Sequence, residues 1–115
     1  MDVTPDGEAL RRLHRAGGPD LVRQMVRLFL ENLPIRLRAA AAGLQGGNWT
    51  EVERAGHSLK SSAGYLGLRE ISDHAARLEQ LASRHEGRDI EPLLVDLSAS
   101  LPAVRTHLLQ VVQDL

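Results

Sequence analysis

Asn48-Trp49-Thr50-Glu51-Val52-Glu53-Arg54-Ala55-Gly56-His57-Ser58-Leu59-Lys60-Ser61-Ser62-Ala63-Gly64-Tyr65-Leu66-Gly67 reads as one amphipathic helix with both ends marked. Asn48 is a good N-cap, and Glu51 three residues on completes a capping-box-like pair. Gly67 is the stop signal after Leu66. At about 100° per residue, Val52, Ala55, Leu59, Ala63 and Leu66 gather into an apolar stripe that is expected to face a core. His57 then points roughly 160° from the centre of that stripe, out to solvent. Lys60 and Ser61 lie one turn beyond it, Gly64 two turns beyond, and Glu53 and Arg54 one turn before. The stretch thus carries an exposed histidine in the middle of a core-backed helix, flanked by the small residues Gly56, Ser61, Ser62 and Gly64.

Outward from this helix, the rest of the chain is also helical in character. Ala, Leu, Arg, Glu and Gln dominate, and all are good helix formers. Gly17-Gly18-Pro19-Asp20, Gly46-Gly47-Asn48, Gly67 and Glu86-Gly87-Arg88-Asp89 punctuate it. A short first helix is expected over residues 5 to 16, offering Leu10 and Leu13 for packing. A long second helix, about 19 to 45, presents Val22, Met25, Val26, Phe29, Leu33, Leu37, Ala40 and Leu44 near one stripe, with Pro34 expected to kink or interrupt it. The fourth, about 69 to 86, packs through Ile71, Ala75, Leu78 and Ala82. Asp89 is read as the cap of a fifth, whose apolar face runs from Leu93 through Leu94, Leu97, Leu101, Val104 and Leu108 to Val112, bent at Pro102. Short connections between long amphipathic helices predict an all-α fold: an up-and-down antiparallel four-helix bundle with a short additional N-terminal helix.

Composition narrows the function classes. A chain of 115 residues, 43% of them apolar, is expected to form a single domain over 1–115 with one core and no room for a separate catalytic domain. Fourteen basic residues against fifteen acidic ones give a formal net charge of −1, which offers no general attraction to nucleic acid or anionic membrane. One Phe, one Tyr and one Trp supply no set of stacking platforms for single-stranded nucleic acid. Cysteine is absent, so disulfide and thiolate chemistry are excluded. No apolar run approaches the ~18 residues that span a bilayer, and the opening residues lack the character of a signal peptide. A cytoplasmic setting is expected, in which Asn48-Trp49-Thr50 is a chance match to a glycosylation acceptor. Nothing requires an oligomer, and a monomer is the default.

The surroundings of His57 suit phosphoryl transfer. A neutral imidazole nitrogen is a competent nucleophile, and the ordinary histidine pKa of about 6.5 leaves it mostly neutral near pH 7. Phosphorylation adds close to two negative charges, which Lys60 is placed to offset from one turn away. The missing bulk at Gly64 and the small Ser61 leave room for another protein's active site to approach the ring. Gly64 in a helix interior costs about 1 kcal/mol relative to Ala, and a gap kept open for a docking partner is one reason to tolerate it.

The run from His57 to Gly67 resembles the signature of histidine phosphotransfer (HPt) domains, His-x-Leu-Lys-Gly-Ser-small-small-x-Leu-Gly. His57 corresponds to the phospho-accepting histidine, Lys60 to the basic residue one turn on, Gly64 to the small position two turns on, and Leu59 and Leu66 to core positions. Ser61 departs from the commoner glycine and adds a polar side chain beside the ring. The signature covers about a tenth of the chain, while the helix layout on either side is also similar to the family's. The resemblance implies a phosphorelay carrier that takes a phosphoryl group from a receiver-domain aspartyl phosphate or a kinase and passes it to a response-regulator receiver domain. It implies a sensor or hybrid histidine kinase upstream, no cofactor of its own, and Mg²⁺ supplied by the partner receiver. The absence of a P-loop, of a Gly-rich nucleotide loop and of clustered carboxylates agrees with a protein that is not a self-sufficient kinase.

Other readings compete. The dimerisation and phosphoacceptor domain of a sensor kinase usually carries an acidic residue directly after its histidine, where Ser58 stands here. The phosphoacceptor module of a chemotaxis-type kinase would differ in donor and parent protein rather than in site chemistry. A non-catalytic helical interaction module would make His57 incidental. His14 and His85 read as helix-end residues, and His74 and His107 lack partners at metal-ligand spacing. Leu21, Leu28 and Ile35 form a second, weaker stripe on the second helix, expected to be covered chiefly by the first helix. Leu28, nearest His57, is the candidate apolar element of a docking site, together with Ser61 and Gly64.

Overall fold

A computed structural model describes all residues 1–115. Five helices follow one another: α1 Gly7–Gly46, α2 Trp49–Tyr65, α3 Arg69–Ser83, α4 Gly87–Ala99 and α5 Leu101–Gln113. Two- and three-residue connections turn α2, α3 and α4 each back along its predecessor, while Ser100 alone joins α5 to the end of α4. The packing order closes into a ring, α1 on α2, α2 on α3, α3 on α4, with α4 and α5 returning to α1. The result is a rod of 42 × 24 × 19 Å, the expected four-helix bundle with a short extra segment at its N-terminus.

The first two expected helices are continuous as α1, but the break between them is where the Gly-Gly-Pro run puts it. Gly18 alone leaves helical dihedrals, at φ 71° and ψ −168°, a conformation that costs glycine little and any other residue much. Pro34, expected to kink or interrupt the helix, leaves its backbone dihedrals helical. A proline removes only its own N–H bond to the preceding turn, and the stripe Phe29, Leu33, Leu37 and Ala40, fully or almost fully buried on either side of it, holds the helix to the core. The fourth helix ends at Ser83, earlier than expected, and Asp89 is no cap: α4 begins at Gly87, so Asp89 sits in its first turn. The fifth stretch is two helices meeting at Ser100, with Pro102 in the first turn of α5, where a missing N–H goes unmissed.

Asn48 caps α2 through its side chain, which accepts from the Glu51 N–H at 3.2 Å. The reciprocal half of a capping box is not made, because the Asn48 N–H donates to the Gly43 carbonyl at 2.8 Å instead. The α2 stripe is buried as expected, with Val52, Leu59, Ala63 and Leu66 at the centre of a single core shared with Leu33, Leu78, Leu97 and Leu108.

Residues 7–17 do not cover the second stripe of α1. The turn at Gly18 directs them over the end of the bundle, where the Asp6 N–H donates to the Gly67 carbonyl at 2.9 Å and Arg69 pairs with Asp6 at 3.0 Å. Leu13 is buried there, and Leu10 faces Val22 and Val111. Leu28 and Ile35, further along α1, remain 39% and 51% exposed. His85 follows the end of α3 with a left-handed backbone (φ 57°) and stacks on Trp49, ring centroids 4.9 Å apart.

Candidate functional site

His57 projects from the middle of α2 with its side chain 65% exposed. The face of α3 opposite supplies what the sequence did not signal: Glu79, whose carboxylate reaches both His57 and Lys60. One oxygen lies 2.7 Å from His57 Nδ1 and the other accepts from Lys60 Nζ at 2.7 Å.

The approach of α3 that permits this is set by the residue just before the histidine. Gly56 is buried, and a Cβ there would stand 2.8 Å from the Glu79 backbone nitrogen and 2.9 Å from the Ala75 carbonyl oxygen. Only a glycine lets the two backbones come this close. One turn further along, Ser72 Oγ donates to the Lys60 carbonyl at 3.0 Å and fixes the same pair of helices again. Glu79 is thereby delivered to His57 by backbone register rather than by a reaching side chain.

Charge then decides which ring nitrogen is free. The Lys60 ammonium holds the Glu79 carboxyl below the usual glutamate range; partial burial opposes this, and the hydrogen bond from His57 adds to the lowering. An ionised carboxylate can only accept, so Nδ1 is the donor and carries the proton. In the neutral ring Nε2 then keeps the lone pair, and it has no hydrogen-bond partner within the protein. The arrangement of carboxylate, Nδ1–H and outward nitrogen is the one by which a base is oriented and its tautomer fixed in other nucleophilic sites.

The remaining candidate residues separate into two places. Leu28 and Ser61 line one groove of about 280 Å³ between α1 and α2, with Met25, Phe29, Ser58 and Tyr65. Ser62, leaning inward, donates to the Ser58 carbonyl at 3.0 Å and serves the helix itself. Gly64 opens instead onto a polar hollow with Arg12, Arg69, Ser72 and Asp73, and its nearest neighbour to an added Cβ is Ser72 Oγ at 3.9 Å. Glu79 and Gly56 were not singled out as site residues in the sequence. The available signal was small residues on both helices, Gly56 meeting Ala75 and Gly64 lying nearest Ser72, which marks a close helix crossing.

The family model described as Hpt domain matches residues 24–114. The chain superposes on the crystal structure of histidine-containing phosphotransfer protein B (HptB) from Pseudomonas aeruginosa PAO1 with a TM-score of 0.88 and 22% sequence identity, covering 100% of this chain and 99% of that one. No curated protein matches the sequence. No helix is long and apolar enough to cross a membrane.

Proposed function

Because the chain belongs to the Hpt domain family, we propose that it is a phosphorelay carrier in which His57 Nε2 accepts a phosphoryl group from the aspartyl phosphate of a receiver domain and returns it to another. The observation that supports this most is the grip of Glu79 on His57 Nδ1, which leaves Nε2 as the open nucleophile.

In the proposed step the Nε2 lone pair forms a bond to phosphorus as the bond from phosphorus to the aspartyl oxygen breaks, and the aspartate leaves as a carboxylate. The ring keeps its Nδ1 proton and becomes cationic, a charge that Glu79 at 2.7 Å is already placed to stabilise. Reversal returns the phosphoryl group, with the same groups in the same roles. Lys60 is held by Glu79 before transfer; a phosphate on Nε2 competes for it, and sharing the ammonium offsets the added negative charge. The Mg²⁺ that assists transfer is taken, in this reading, to come from the receiver. The groove bearing Leu28 and Ser61 beside the histidine is the proposed seat of that receiver, with a histidine kinase upstream of it.

The test is incubation with a panel of phosphorylated receiver domains, followed by mass mapping. An acid-labile, base-stable phosphate on His57, absent from a folded His57→Gln variant, is expected. A folded protein that takes no label from any receiver or small phosphodonor is an interaction module instead. Leu28→Glu is expected to slow transfer by weakening docking; unchanged rates would remove Leu28 from the interface.

A further inference from the structure

We propose that the seam between α1 and α5 is a second interaction surface, shaped for an acidic amphipathic helix of a partner protein. Leu30, Leu109 and Val112 line a groove of about 340 Å³ there, with the buried Val26 beneath them. Leu109 is 48% exposed, whereas Val104 and Leu108 on the same helix are fully buried. It therefore presents apolar surface that the bundle itself does not use.

The rim carries the chemistry. Arg23 and Arg27, one turn apart on α1, and Arg105 on α5 border the groove, with Glu31 as the one carboxylate among its lining residues. Arg23 is paired with Asp20 at 3.0 Å, but Arg27 and Arg105 make no ion pair within the protein. The chain as a whole carries a formal charge of −1, so this cationic rim is a local feature and not a general excess. An apolar floor between two helices accepts side chains at i and i+4 of a third, and two unpaired guanidiniums select carboxylates on its flanks. A concave seam fits an inserted helix better than the flat surface of a bilayer.

The seam lies on the flank of α1 away from His57. Val26, Arg27 and Leu30 turn toward α5, while Met25, Leu28 and Phe29 turn toward α2. Both flanks can be occupied together. A segment tethered at α5 would then raise the effective concentration of whatever it is joined to at the phosphorylation site.

Fluorescence-polarisation titrations of the whole chain would use three labelled helical peptides: a leucine stripe flanked by glutamates, the same stripe flanked by lysines, and a serine stripe flanked by glutamates. Binding of the first alone is expected, weakened roughly tenfold or more in the double variant Arg27→Glu, Arg105→Glu. Amide shifts on binding should centre on Leu30, Leu109 and Val112, and Leu28→Glu should leave the affinity unchanged. Equal binding of the lysine peptide, no binding of the glutamate peptide, or indifference to the arginine reversals overturns the proposal. Concentration-dependent dimerisation abolished by Leu109→Glu would assign the seam to a second copy. Arginine-dependent binding to phosphatidylglycerol vesicles without peptide binding would assign it to a membrane surface. Either result refutes the helix.

Discussion

Replacing Gly56 by alanine puts a methyl carbon 2.8 Å from the Glu79 backbone nitrogen, about 0.6 Å inside the distance at which ordinary contact begins. All three atoms it meets belong to the backbone of α3, so no side chain can swing away and the helix itself must retreat. Overpacking of this kind costs about 1–3 kcal/mol, while alanine returns at most about 1 kcal/mol of helix propensity. Gly64 in the same helix is the control, because an added Cβ there finds nothing closer than 3.9 Å. Gly64→Ala should therefore gain up to about 1 kcal/mol where Gly56→Ala loses. The two variants are expected to differ by about 1–3 kcal/mol, at roughly 4 °C in Tm for each kcal/mol in a chain of this size. Urea unfolding with Trp49 fluorescence measures the difference. Retreat of α3 also loosens the two 2.7 Å contacts to Glu79, so imidazole ¹⁵N spectra of Gly56→Ala should show a smaller share of the Nδ1–H tautomer. A Gly56→Ala protein as stable as Gly64→Ala, with the tautomer unmoved, would refute the close-approach argument.

Glu79→Gln should shift the His57 tautomer and lower transfer rates while leaving helicity intact, as followed by the same spectra and by label transfer. The Glu79 carboxyl titrates below its ordinary value because of Lys60; its stabilising contribution is present above the unfolded glutamate pKa and is lost as pH falls through the lowered folded one. The glutamine variant should accordingly show a shallower loss of stability on acidification below about pH 4.5, and an identical acid profile would count against the ion pair. Lys60→Ala is expected to slow transfer or shorten the phosphohistidine lifetime without changing the circular dichroism. His85→Ala keeps the left-handed backbone and loses the stack on Trp49, at a cost of about 0.5–1.5 kcal/mol; His85→Gly should recover part of that loss in urea unfolding.

The fold was legible wherever one residue type has one physical effect. Gly-Gly-Pro at 17–19 placed the break in the first helix, and the α2 stripe from Val52 to Leu66 is buried as its period requires. Legibility failed where neighbours decide. Pro34 reads as a helix breaker in isolation, but a helix anchored by Phe29, Leu33 and Leu37 tolerates one lost hydrogen bond. Leu28 and Ile35 read as a covered stripe, because no local signal says which way a chain leaves a glycine kink. At the site, the exposure of His57 followed from the wheel of its own helix. Glu79 did not, since a glutamate on a polar helix face is ordinary, and its pairing across the 22 positions from His57 depends on a helix crossing that Gly56 sets.

The corner formed by Asp6, Gly67 and Arg69 bears on where this protein can be cut. The region that matches the family begins at residue 24, inside α1 and past the Gly18 turn. A fragment trimmed to the homologous region would discard Val3, Ala9 and Leu13, all buried, along with the Asp6 contacts that clasp the α2–α3 connection. Gly67 and Leu68, sealed from solvent in the whole chain, would lose the segment packed on them. The stretch that the family model matches and the stretch that packs around the core are thus different lengths, and recombinant pieces or fusions should keep the first 23 residues as part of the wall.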